Sequence, residues 1–162
     1  MERLSNLSLQ LKGSPSTSEG REWVIYEHIS DVAVLSLNSP HNGNILTSAV
    51  VRQLNSALLR AEQSPEVRAI ILMGAGPCFS QGGHISLITN LSISDMLFTR
   101  AYHEMLQVLP KIKKPVIAAI HGQATGLGFE LALLCDLIVA DSSAQLGISN
   151  IKAAFTGGAA AT

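Results

Sequence analysis

The sequence predicts an α/β fold built on a largely parallel sheet. Three observations carry this expectation. Short apolar runs of strand length alternate with longer stretches of helical periodicity. The order strand, helix, strand, helix, strand calls for parallel pairing through right-handed crossovers. Gly-rich segments follow two of the strand candidates, at the carboxyl ends where open α/β sheets bind ligands.

The elements follow in order from residue 22. Trp23 to His28 and Val32 to Leu37 read as paired strands with Ser30-Asp31 as the turn between them. Thr47 to Gln63 is a helix, because Val50, Val51, Leu54, Ala57, Leu58 and Ala61 fall on one apolar stripe. Thr47 or Ser48 caps it. Ala69 to Met73 is a buried strand that stops at Gly74-Ala75-Gly76-Pro77. Ser94 to Leu109 is a second amphipathic helix, capped by Ser94 and closed by Pro110. Pro115 to Ile120 is the next strand, Gly126 to Leu134 a buried helix, Leu137 to Ala140 a strand and Ala144 to Gly147 a short one. Residues 1–21 stand apart: Met1 to Leu11 has the pattern of a short amphipathic helix, and Gly13 to Gly20 is a polar linker. The expected organisation is a targeting segment and linker over 1–21 and one core domain over 22–162.

Composition narrows the function. Hydrophobic residues make up 47% of the 162 and charged residues 14%, which argues for a packed core over a disordered chain. A net charge of -1 gives no nucleic-acid footprint, which would need a clustered excess of Lys and Arg. The densest run, Lys111, Lys113 and Lys114, reads as a solvated turn. Cys78 and Cys135, both in apolar stretches, read as buried thiols, and no metal-ligand spacing occurs. No metal and no separate cofactor are expected. No apolar run reaches the roughly 18 residues needed to span a bilayer.

Two segments break the packing pattern. The first is Cys78-Phe79-Ser80-Gln81-Gly82-Gly83-His84, and the second is His121-Gly122-Gln123-Ala124-Thr125-Gly126-Leu127-Gly128-Phe129-Glu130. Glycine lets backbone N–H groups approach a ligand closely, and the second set of amides lies at a helix start that favours developing negative charge. Glu130 falls one turn into an otherwise apolar helix. A carboxylate among Leu, Ala and Phe loses solvation and needs a partner or a retained proton. Such a group suits general acid or base work. Singly, each feature has a plain structural reading as a turn or a favourably placed helix charge; their conjunction points to a site. A dinucleotide loop is excluded, because Leu131 stands at the third glycine position and the loop from Ile120 is too long. No Walker lysine and no GxSxG elbow is present.

These residues resemble the crotonase family, the enoyl-CoA hydratases and isomerases. The resemblance runs from about Trp23 to Thr162 through Asn38-Ser39-Pro40, Asn44-Ile45-Leu46, Val67 to Leu72, Phe79 to Gly83, Lys114 to Gly122, Gly126 to Ala132, Cys135 to Ala140 and Gly157-Gly158. It implies a spiral of ββα turns and an acyl-CoA thioester as substrate, with coenzyme A arriving as part of that substrate. It also implies an oxyanion hole made by the Gly83 and Leu127 amides, with Glu130 as the first of two family glutamates. Asn44, Gly82, Gly126, Gly128 and Asn150 are the expected substrate-binding positions. Fatty-acyl metabolism is the implied setting.

Several departures bear on these expectations. Leu127 stands where most members have glycine, which narrows the expected pocket, and His84 replaces the usual Asp. Asn150 occupies the position of the second glutamate, and an amide cannot take up a proton as a carboxylate does. A two-glutamate hydratase mechanism is therefore not supported, and isomerases with one carboxylate commonly keep the one absent here. The resemblance also implies helices beyond Thr162, so the core is expected to be incomplete at its C-terminus. Exposed apolar surface is expected, and a family-type homotrimer only if those helices are present. The competing reading is a non-catalytic acyl-CoA-binding or partner protein; a third is another single-carboxylate thioester reaction, such as decarboxylation or dehalogenation. At the N-terminus, Arg3-Leu4, five residues and Gln10-Leu11 resemble a peroxisomal targeting signal of the second type, with a mitochondrial presequence as the alternative.

Overall fold

A computed structural model of the chain describes residues 21–83 and 93–148, with side chains given from residue 100 onward in the helix that starts at Ile93. Strands β1 (Val24–Ile29) and β2 (Val32–Leu37) form an antiparallel hairpin in which Val24 faces Leu37. Strands β3 (Ala69–Gly74), β4 (Val116–Ile120) and β6 (Leu137–Ala140) then add in parallel, giving the order β1-β2-β3-β4-β6. A second sheet pairs β5 (Gln123–Thr125) with β7 (Gln145–Gly147) in parallel, and Ser80 bridges Ala124 beside them. The chain is thus a spiral. After β3, β4 and β6 alike, it crosses from the large sheet to the small one within a few residues.

Among the described residues, three α-helices return the chain. Helix α1 (Ser48–Gln63) buries Val50, Val51, Leu54, Leu58 and Ala61, the stripe read from the sequence. Thr47 caps it, its Oγ1 accepting from the Val50 N–H at 3.3 Å. At the other end the Lys114 Nζ donates to the carbonyls of Ala61 at 2.7 Å and Ser64 at 2.6 Å. Lys114 is therefore no solvated turn residue. It closes the orphan carbonyls of a helix C-terminus, where a cation is favourable.

Helix α2 (Ile93–Val108) covers the stretch expected as the second helix. Its end runs into a 3-10 turn, Leu109–Lys111, that contains Pro110. Helix α3 (Leu127–Leu133) is short, with Gly126 at its N-cap.

The core lies between the large sheet and helices α1 and α2. Leu35, Ile70, Leu72 and Ala118 meet Val51, Leu54 and Leu58, with Phe79 and Met105 wholly buried among them. At the far edge the pattern fails. Leu137 and Val139 of β6 are 58% and 56% exposed, the bare apolar surface expected from the sequence. Cys78 is buried and Cys135 half-buried. Burial pushes the Cys78 thiol up; burial, and then the charge of Asp136, push Cys135 up to about 12, so both are thiols at neutral pH.

Candidate active site

The segment after β3 is stitched on both flanks. The Phe79 N–H donates to the His121 carbonyl at 2.9 Å and the Ser80 N–H to that of Gln123 at 3.1 Å, while the Thr125 N–H returns a bond to Ser80 at 3.0 Å. On the other flank the Gln81 N–H donates to the Gly43 carbonyl at 2.8 Å, and the Gly82 carbonyl accepts from the Leu46 N–H at 2.8 Å. The buried Ser80 hydroxyl donates to the Asn44 carbonyl at 2.8 Å and accepts from the Gly82 N–H at 3.2 Å.

These bonds leave Gly82 with φ +94, a conformation L side chains rarely adopt. A Cβ there would lie 2.6 Å from the Thr125 carbonyl oxygen and 3.1 Å from the Leu127 nitrogen. Adding standard backbone lengths, the Gly83 and Leu127 nitrogens lie within about 7 Å of each other. Gly126, with φ +53 and ψ -128, holds the start of α3 by donating its N–H to the Gly147 carbonyl at 2.8 Å. The Leu127 N–H is then among the first amides of a helix, which have no intrahelical acceptor. Among the described residues, neither the Gly83 N–H nor the Leu127 N–H is donated to a partner. The Leu127 side chain is half-buried and packs on the core cluster. What this residue presents to Gly82 is its main-chain nitrogen.

Glu130 lies one turn further along α3 and is completely buried. The Tyr102 hydroxyl on α2 donates to its Oε2 at 2.8 Å. Burial first, then the hydrogen bond and the charge of Glu130, hold the Tyr102 phenol above its ordinary value, so it keeps its proton at neutral pH. Sequence reasoning asked for a partner to Glu130 and did not find this one. The available signal was a polar-tipped aromatic placed beside the buried Ala101 and one turn before the buried Met105.

Two expected substrate-binding positions, Asn44 and Gly128, also make contacts within the scaffold. Asn44, with φ +54, is buried, and its Oδ1 accepts from the Ser39 N–H at 2.8 Å. Its Nδ2 donates to the carbonyls of Ala75 at 2.9 Å and Cys78 at 2.8 Å, so both amide hydrogens are spent on neighbouring loops. Gly128 packs on Ser80, whose carbonyl oxygen lies 2.5 Å from where a Cβ would be. His84 and Asn150 lie outside the described residues.

Beside this arrangement the side chains of Gln81, Gln123 and Gln145 form a ladder, Gln81 donating to Gln123 at 2.9 Å and Gln123 to Gln145 at 3.4 Å. They line a cleft of about 610 Å³ with Pro40, His41 and Gly43, a cleft to which none of Gly82, Gly83, Leu127 and Glu130 contributes. Among the described residues no group of three His, Cys, Asp or Glu is placed to hold a metal ion, and no helix is long and apolar enough to cross a membrane.

The family model described as enoyl-CoA hydratase/isomerase matches residues 27–162. A mitochondrial enoyl-CoA hydratase of Pongo abelii is 38% identical over 131 residues, covering 81% of this chain and 45% of that protein. A probable enoyl-CoA hydratase of Mycobacterium bovis is 33% identical, covering 81% of this chain and 51% of that protein. Among solved structures, an enoyl-CoA hydratase subunit of Geobacillus kaustophilus superposes with a TM-score of 0.77 at 30% identity, covering 85% of this chain and 53% of that one. The Bacillus anthracis enoyl-CoA hydratase gives a TM-score of 0.77 at 28% identity, covering 85% and 55%. The chain spans about half the length of the curated relatives it matches.

Proposed function

The chain belongs to the enoyl-CoA hydratase/isomerase family, and from that membership we propose that it acts on an acyl-CoA thioester of fatty-acid metabolism. The Gly83 and Leu127 amides receive the thioester oxygen, and Glu130 moves the proton. Addition of water to a 2-enoyl thioester, or migration of its double bond, passes through an enolate-like oxyanion. Two preorganised donors stabilise that charge by a few kcal/mol each. One carboxylate closes the proton balance of hydration. Glu130 takes a proton from water as the oxygen bonds to the β-carbon, then delivers it to the α-carbon. In an isomerisation the same oxygen removes a proton at one carbon and returns it at another.

The observation that carries this reading is the pairing of two undonated amides against Gly82 with a wholly buried carboxylate three residues beyond one of them. The test is Glu130→Gln in the full chain, assayed on 2-enoyl-CoA substrates. Turnover is expected to fall by about 10²–10⁴-fold with CoA-thioester binding retained. Unchanged turnover removes Glu130 from the chemistry.

A second reading rests on Asn150 at the second glutamate position. It makes the protein an acyl-CoA binder or partner subunit, and thioester binding without turnover in the unaltered chain would select it. Delivery to peroxisomes through Arg3-Leu4 and Gln10-Leu11 is part of the proposal, with the mitochondrion as its alternative, since named relatives are mitochondrial. Those residues lie outside the described ones; a reporter carrying residues 1–21 distinguishes the two addresses.

A further inference from the structure

We infer that Ser80 is a positioning residue for the Gly83 amide: acting through Gly82, its buried hydroxyl aims the oxyanion donor of the first Gly-rich turn. The inference rests on the proposed role of that amide and is independent of Glu130.

Gly82 is clamped on both sides. Its N–H donates to the Ser80 Oγ at 3.2 Å, and its carbonyl accepts from the Leu46 N–H at 2.8 Å. The Ser80 hydroxyl gives its own proton to the Asn44 carbonyl at 2.8 Å, two residues before Leu46. These three bonds close a ring that joins residues 80–82 to residues 44–46. In a planar trans peptide the N–H points opposite to the carbonyl that precedes it. The Gly83 N–H therefore points away from Leu46, along a line set by the Gly82 peptide. Only φ and ψ of Gly82 separate that peptide plane from the one whose N–H Ser80 holds. The φ is +94, and glycine has no side chain to restrict it. The restriction comes from the clamp.

Main-chain pairing holds residue 80 whether or not the hydroxyl is there. The Ser80 N–H donates to the Gln123 carbonyl at 3.1 Å, and its carbonyl accepts from the Thr125 N–H at 3.0 Å. What the hydroxyl adds is the orientation of Gly82. Ser36 and Ser39 are buried almost as deeply, yet their hydroxyls have no partner among the described residues. Burial alone does not give a serine these bonds. Ser80 also touches the second turn: a Cβ on Gly128, next to Leu127, would lie 2.7 Å from its Oγ. One small side chain supports the segments that carry both donors.

The experiment is Ser80→Ala in the full chain, read by the absorption of bound cinnamoyl-CoA. A conjugated thioester absorbs at longer wavelength when its carbonyl is polarised, so it reports the two donors without turnover. Expected is the loss of about half or more of the red shift that the unaltered chain produces, because one of two donors is misaimed. On a 2-enoyl-CoA substrate kcat is expected to fall by about 10–10²-fold, with KM changed by less than about twofold. Ser36→Ala, which deletes a buried hydroxyl on β2, is expected to keep both the shift and kcat. Ser80→Cys preserves the shape with a sulfur that accepts only weakly, and it covers the case in which the Ala variant fails to fold. It too is expected to lose part of the shift.

A full red shift in Ser80→Ala, or in Ser80→Cys where the first does not fold, overturns the role of Ser80 and leaves the proposed function standing. An equal loss in Ser36→Ala reduces the effect to general loosening and overturns that role as well. Cinnamoyl-CoA that binds the unaltered chain with no shift, or does not bind it, overturns the proposed oxyanion hole and this inference together.

Discussion

The turn after β3 and the turn after β4 bring Gly82 and the Leu127 nitrogen together by different means. The first is held by its neighbours. Main-chain bonds to Gly43, Leu46, His121, Gln123 and Thr125 fix residues 79–82, and the helix that follows has no part in them. The second is held from within. Gly126 is tied to β7 by one bond, and from Leu127 onward the helix sets each position, Glu130 included. The difference is one of cause. The shape of the first turn is a tertiary property, whereas the spacing of amide and carboxylate in the second is a local one. Substitutions in the second turn should therefore remove chemistry at little cost in fold, and substitutions around the first should remove shape.

The sharpest break of this comparison is Leu127→Pro. Proline suits the first position of a helix, where the N–H has no intrahelical partner, so it deletes the donor and spares α3. Turnover is expected to fall by about 10²–10³-fold, the effect of losing one oxyanion donor. Leu127→Ala, which keeps the N–H, separates this from the loss of side-chain packing; equal losses in the two variants would take the amide out of the mechanism.

In the first turn, Gly82→Ala forces a Cβ against the Thr125 carbonyl at a φ of +94. It is expected to cost about 2–4 kcal/mol of stability, read as a lower denaturation midpoint. A midpoint equal to that of the parent would show that the turn yields easily. The smallest effect is expected at Asn44→Ala, which leaves the Ser39 N–H and the carbonyls of Ala75 and Cys78 short of a partner. About 1–3 kcal/mol is expected, because these groups are buried and relax only partly. A gain in KM with no change in stability would instead assign Asn44 to substrate binding.

Much of this was legible in the residues because it is periodic. Helix α1 follows from six apolar positions on one stripe, and β2, β3 and β4 from apolar runs bounded by turns. The expectation that the Gly83 and Leu127 amides converge came from the family resemblance, not from any spacing. What escaped depends on contacts distant in sequence. Tyr102 meets Glu130 across 28 residues and Lys114 meets Ser64 across 50, and no local pattern announces either. Strand β5 is three residues long, too short for an alternation to show.

The crossing from β4 to α3 takes only the six residues between Ile120 and Leu127. The chain there acts as a short rod joining a ladder of the large sheet to the place where a thioester oxygen would sit. A slip of one rung between β4 and β3 would displace Leu127 by roughly 3.3 Å, about the length of the hydrogen bond it has to make. It would also turn Val116, Ala118 and Ile120 outward. Alignment of the strands, enforced by which side chains the interior accepts, therefore works as a vernier for the reacting atoms. A substitution in β4 far from any substrate can put the chemistry out of reach while the protein still folds.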